Sequence, residues 1–230
     1  MTVLSAIQGA SVGLGLAAPS AVFAATDRTA VEMAEIAREA AQAIAEAHDW
    51  QVLKRLQTYT GTGAADAFDL PADFLRMPKD QRIWSSAQET PMTHVLSHDD
   101  WLELEVKTYE LVTRAWTILG GQVAIKPTMP TGETAKFYYQ SSHFARDGAG
   151  TKADFTADGD EFRLPERVLK LGIVWRWRAL KGLDYSEEMV NFEIALSKAI
   201  AADKGPRTLA MGRGRWPKGV TIAYPQAVRP

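Results

Sequence analysis

Apolar residues recur at every third or fourth position near both ends of this chain, whereas its middle is cut into short runs by glycine, proline and aspartate. The first pattern marks helices with one buried stripe, and the second marks short strands between turns. The sequence therefore predicts an α+β protein. N- and C-terminal helices form a bundle, a β-rich insert lies between them, and an extended arm follows. The expected parts are an N-terminal helical segment over 1–56, an insert with one helix over 57–163, a helical hairpin over 164–205 and an arm over 206–230.

Residues 3–10 read as a short apolar helix, broken near Gly13, Gly15 and Pro19. Thr29-Ala30-Val31-Glu32 has the spacing of a capping box and opens a longer helix with the stripe Met33, Ala37, Ala40, Ile44 and Ala47. His48-Asp49-Trp50 ends that helix or starts a second short one through Leu56. Leu164-Pro165 starts another, with Leu164, Val168, Leu171 and Trp175 on one face, and Gly182 stops it. Asp184 and Glu187 cap the last helix, whose stripe Tyr185, Met189, Phe192, Leu196 and Ile200 is the cleanest in the chain. The expected bundle core is Ile44, Trp50, Val168, Leu171, Trp175, Tyr185, Met189, Phe192 and Leu196.

Seven strands are expected in the insert: 56–60, 68–77, 83–85, 92–96, 116–119, 123–126 and 135–140. Gly120-Gly121 makes a two-residue hairpin turn, since glycine tolerates positive φ at both positions. Pro127–Glu133 reads as a longer hairpin loop. Ser97 caps a helix with the stripe Trp101, Leu104, Thr108 and Leu111. Residues 145–160, rich in Gly and Asp, read as a mobile surface loop.

With no cysteine, disulfides, thiolate-bound metals, iron–sulfur clusters and thiol nucleophiles are excluded. The net charge of −2 is a cancellation. Five of the 26 basic residues (Arg207, Arg213, Arg215, Lys218 and Arg229) and none of the 28 acidic ones follow Lys204, which leaves −7 on residues 1–204. Trp216, Ile222 and Tyr224 add anchors that a merely solubilising tail would not need. The segment therefore reads as a docking arm carried by Arg207, Arg213, Arg215, Trp216, Lys218, Ile222 and Tyr224.

The uncharged run before Asp27 imitates a secretory signal, but no Lys or Arg precedes Arg28, and Ser5, Gln8 and Ser11 dilute it. It is expected to be a helix and a loop, and it does not suit a membrane span.

No motif assembles a catalytic site. Gly13-x-Gly15-x-x-Ala18 lacks the preceding strand and following helix of a dinucleotide fingerprint. His94 and His98 are four apart, but Ser97 caps a helix between them, so they sit on different elements. His48 and His143 stand alone, and Asp158 and Asp160 fall in a loop with no visible partner. In Trp175-Arg176-Trp177-Arg178 the two tryptophans point about 200° apart, so one is core and the other faces a neighbour. No catalytic residue, cofactor or metal is expected.

The ordered landmarks Val3–Ile7, Ala18-Pro19-Ser20, Thr26-Asp27-Arg28, His48–Leu53, Leu70–Arg76, Ile118–Ile125, Pro130–Thr134, Leu164-Pro165-Glu166, Gly172–Arg176 and Lys181–Tyr185 resemble those of the head-to-tail adaptor (head-completion or connector) proteins of tailed bacteriophages and related prophage elements. The resemblance implies a virion structural protein at the head–tail junction, without enzymatic activity. It implies a ring, usually of twelve copies, that binds below the portal protein, closes the DNA-filled capsid and presents a surface to the next neck or tail component. The arm would then run along the portal. An acidic body would suit a channel through which DNA passes as cargo, because a basic lumen would hold its phosphates. Two other readings are an exported cell-wall-binding protein or hydrolase with a signal peptide, and a nucleic-acid-binding module using the Arg-rich tail.

Overall fold

Asp27, rather than Thr29, starts the long N-terminal helix in the computed structural model, which describes residues 2–79, 81–107, 111 and 113–204. The Asp27 carboxylate accepts from the Thr29 and Ala30 amides, at 3.1 and 3.3 Å, so α2 runs Arg28–Glu46. Glu32, the other half of the expected capping box, instead pairs with Arg28 and Lys181. Before it, α1 (Val3–Gly13) starts at Thr2 and buries Val3, Ala6, Ile7 and Ala10 along one face. On α2 the buried face is Met33, Ala37, Ala40 and Ile44, together with Ala30, Ala34, Ala41 and Ala45. Ala47, at the end of the expected stripe, is exposed. Trp50 is buried and donates its indole N–H to the Ile44 carbonyl at 2.8 Å. A 3-10 turn at Gln51–Leu53 follows and leads straight into β1 (Lys54–Thr60), so no second helix forms there.

The remaining strands are short. They are β2 (Ala67–Asp69), β3 (Phe74–Arg76), β4 (Trp84–Ser85), β5 (Thr93–His94), β6 (Ala115–Leu119), β7 (Gln122–Lys126), β8 (Thr134–Ser141), β9 (Ala145–Arg146), β10 (Thr151–Lys152) and β11 (Glu161–Phe162). Between β5 and β6, α3 (His98–Val106) is capped by Ser97 and held by the buried Trp101. Two longer helices complete the chain: α4 (Glu166–Leu180) and α5 (Ser186–Lys204).

One sheet has the order β1-β8-β3, with β4 also on β8, and a second has β2-β7-β6-β5. The β6–β7 hairpin turns at Gly120 and Gly121, with φ of 57° and 82°, as the two glycines require. The run 68–77 is not one strand. A turn at Pro71–Phe74 splits it into β2 and β3, which fall in different sheets. Pro127–Glu133 is likewise no hairpin, because β7 and β8 belong to different sheets. That loop crosses between them and docks on residues 61–63, where Gly61 donates to the Glu133 carbonyl at 2.7 Å and Met129 is buried. A Cβ on Gly61 would sit 2.4 Å from the Pro130 carbonyl oxygen, so only glycine fits.

Residues 145–160 are not a free loop. They contribute to the third sheet, β10-β9-β11, and bury Phe155 against Phe144 and Phe162. These rings join the helical core of α1, α2 and α4. A second core, with Tyr59, Ile83, Met92, Trp116, Val123, Ile125, Met129, Phe137 and Tyr139, lies between the two larger sheets.

In the bundle, close packing depends on small residues. Ala40 of α2 faces Gly172 of α4, where an added Cβ would come within 3.3 Å of both Ala40 and the Phe192 ring. Trp177, rather than Trp175, is the buried tryptophan of α4. Trp175 is half-buried and packs on Tyr185 and Phe192 at ring distances of 6.2 and 6.1 Å. Ile44, Trp50, Val168 and Phe192 are buried, while Leu171 and Leu196 pack against the core and Met189 is half-buried. Tyr185 is exposed, because it precedes the first turn of α5 and covers Trp175 from outside. On α5 only Phe192 is fully buried, so the stripe with the clearest period lies on a helix packed from one side.

Candidate functional site

Polar groups that the sequence leaves without partners are absorbed by structural networks. Asp158 accepts from the Val22 and Phe23 amides at 2.8 and 3.1 Å and ties the segment after α1 to the third sheet. Asp160 takes the Lys152 ammonium at 2.8 Å and the Thr156 and Ala157 amides at 2.7 and 3.0 Å. Burial pushes the Asp160 carboxyl up, but Lys152 and the two amides outweigh it and hold the group below the usual carboxylate range.

Asp73 behaves alike. Its burial is outweighed by bonds from Ser141 and Tyr139, both at 2.7 Å, and by Arg55. Burial and the Asp73 bond push the Tyr139 hydroxyl up to about 12, and burial with the nearby Asp69 does the same for Tyr59.

Arg114 and Glu133 make the most enclosed ion pair among the described residues. Arg114 Nη2 lies 2.6 Å from Glu133 Oε2, with the side chains 9% and 1% exposed. Arg114 also donates through Nε to Glu133 and through Nη1 to the carbonyls of Pro127 and Thr128, while Ser85 Oγ donates to Glu133. The network clamps the crossover loop onto β4.

The histidines and glycines that the sequence offers as metal or nucleotide candidates lie apart from these networks. His94 sits in β5, stacked on Trp116 at 3.9 Å, and His98 opens α3. Gly13 ends α1, and Gly15 (φ 72°) turns the chain into a loop, the reverse of a strand-to-helix nucleotide motif. Among the described residues no group of three or more His, Asp or Glu could hold a metal, and no helix is long and apolar enough to cross a membrane.

The remaining candidates are surfaces. On the outer face of the first sheet, Leu56 pairs with Tyr138 and Trp84 pairs with Lys136, and all four are exposed. Trp84 and Tyr138 are 49% and 47% exposed, large aromatic groups of the type enriched in protein interfaces. The sequence pattern places Trp84, Lys136 and Tyr138 in strands, and Leu56 at the start of a strand or the end of a short helix. The alternation of β8, with Lys136 and Tyr138 out and Phe137 and Tyr139 in, is the signal that marks them.

A second surface follows α5, where Val190 and Ile194 are about half exposed. A third lies on α3, with Leu102 and Val106 exposed beside Asp99 and Glu103. The seven arm residues Arg207, Arg213, Arg215, Trp216, Lys218, Ile222 and Tyr224 lie outside the described residues.

Compared with known protein families, the chain matches the family described as SU10 adaptor protein over residues 1–217. No curated protein matches it at a significant level.

Proposed function

Because the chain belongs to the SU10 adaptor protein family, a family of phage head–tail adaptors, we propose that it binds below the portal ring of the filled capsid, closes it, and offers the next neck or tail component its attachment surface. On this reading it works as a homo-oligomeric ring at the head–tail junction and carries out no catalysis. The observation that carries the reading is the amount of aromatic and aliphatic surface left uncovered in one chain, on the outer sheet face and along α5. The basic arm supplies the portal contact, with Trp216, Ile222 and Tyr224 as anchors and the arginines meeting acidic portal surface. The −7 body suits a wall past which DNA slides.

The test is co-sedimentation with purified portal protein, comparing the full chain with one ending at Lys204. The full chain is expected to travel with the portal, and the shortened chain to stay behind while keeping the same circular dichroism. Equal binding by the two would refute the arm. A salt-sensitive mobility shift with DNA, without portal binding, would favour a nucleic-acid module instead.

A further inference from the structure

Between α4 and α5 runs an open groove of about 510 Å³ with a floor of Val168, Leu171, Ile194 and Ala195. Two cations, Arg167 and Lys198, stand on its rim, no carboxylate lines it, and neither cation makes an ion pair among the described residues. The groove therefore selects an apolar ligand of negative charge. The chain's own segment 206–230 carries +5 and is repelled by that rim.

A matching surface exists elsewhere on the same chain. Along α3, Asp99, Leu102, Glu103 and Val106 stand at i, i+3, i+4 and i+7, which puts them on one face, and all four are exposed. Its opposite face is occupied, since Trp101 is buried, and Lys126 lies 5.5 Å over its ring and 3.0 Å from Glu105. Among the described residues the one ion pair on this stripe is Glu103 with Lys107, a half-exposed i,i+4 pair of the weak solvated kind that a partner's cation can replace. The stripe can therefore dock as an amphipathic helix does in an apolar groove. From Asp99 to Val106 the helix rises about 10 Å, the same as from Asn191 to Lys198 along α5.

We propose that α3 of one copy lies in the α4–α5 groove of the next. Asp99 and Glu103 meet Arg167 and Lys198, and Leu102 and Val106 cover Leu171 and Ile194. Donor stripe and acceptor groove are different surfaces, so the contact is heterologous and propagates from copy to copy until it closes a ring. The assignment rests on the ring reading above and gives it a specific interface.

The lack of native cysteine makes the test direct. Leu102→Cys and Ile194→Cys are introduced singly and together in the full chain, oxidised with a mild copper reagent, and run on a non-reducing gel. The double variant is expected to give a ladder of dimer, trimer and higher species, a mixture of the two single variants a dimer only, and each single variant alone only monomer. Adding Arg167→Glu and Lys198→Glu to the double variant should abolish the ladder. Mixing Ile194→Cys carrying that reversal with Leu102→Cys carrying Asp99→Lys and Glu103→Lys should restore the dimer.

Absence of the ladder, cross-linking of a single variant with itself, or indifference to charge reversal overturns the proposal. A ladder that appears only when the chain ends at Lys204 overturns it too, and assigns the groove to the chain's own arm. Portal co-sedimentation is scored separately. Portal binding without a ladder sinks this interface alone, and a ladder without portal binding sinks the adaptor placement alone.

Discussion

Replacing Glu133 by leucine should be among the most damaging single changes in the β-rich part of the molecule. The substitution leaves the Arg114 guanidinium, 9% exposed, with two carbonyl partners and no counter-charge. Breaking a buried pair from one side costs about 3–5 kcal/mol, and Arg114→Met should cost about the same because it strands a carboxylate that is 1% exposed. The double variant Arg114→Met/Glu133→Leu leaves no buried charge. It removes the acceptor of the Ser85 hydroxyl, whose Oγ still accepts from the Gln88 amide, and the donor to the carbonyls of Pro127 and Thr128, worth roughly 1 kcal/mol each. It should therefore lose about 3 kcal/mol, although the single losses sum to about 6–10 kcal/mol, a coupling of at least about 3 kcal/mol. Urea unfolding followed by tryptophan fluorescence measures all four corners of the cycle, with a constant slope confirming that the same surface unfolds. Single losses under about 1 kcal/mol, the range of a solvated surface pair, or losses that add without coupling, would refute the argument.

Gly172→Val should destabilise the bundle by about 1–3 kcal/mol through overpacking, since even a Cβ there meets Ala40 and Phe192 at 3.3 Å; an unchanged melting temperature would contradict this. Trp177→Ala should cost about 3–5 kcal/mol and Trp175→Ala distinctly less, because Trp177 is buried and Trp175 half-buried; the reverse order in denaturant titrations would show that the wrong ring was placed in the core. Asp73 and Asp160 both have carboxyls held low in the folded state, so the stability they add is complete above the unfolded value of about 4 and disappears as pH falls through their lowered folded values. Asp160→Asn should flatten that acid limb in a pH series of melts, and an identical limb would reject the assignment.

Features set by neighbouring residues were legible in the sequence. The Gly120-Gly121 turn, the Ser97 cap and the α2 stripe through Met33, Ala37, Ala40 and Ile44 are local, and they occur as the spacing predicts. Pairings across the chain were not. Nothing within Pro127–Glu133 shows that its partners are residues 61–63 and Arg114, and the order of 145–160 comes from Phe155 and Asp160 meeting distant groups. The choice between Trp175 and Trp177 was also non-local, because α4 offers a ring on each side and the positions of α2 and α5 decide. On α5 the clear period was informative in another way. Periodicity states that a face must be covered, and Phe192, Leu196 and Ile200 of this stripe do pack on the helical core, whereas the exposed apolar residues of α5, Val190 and Ile194, lie off it.

The last turn of α5 is moored to the seam between bundle and sheet. Asp203 accepts from the Gln51 amide at 3.0 Å and lies 3.3 Å from His48 Nε2, so one carboxylate holds the entrance of β1 and stands against the exit of α2. Tension arriving through residue 205 therefore enters the body at a point braced on two sides and is shared between the helices and the β1–β8 ladder, which is loaded along seven residue pairs. In a pulling experiment on the C-terminus, Asp203→Ala should lower the force at which α5 peels away, and an unchanged rupture force would place the load elsewhere.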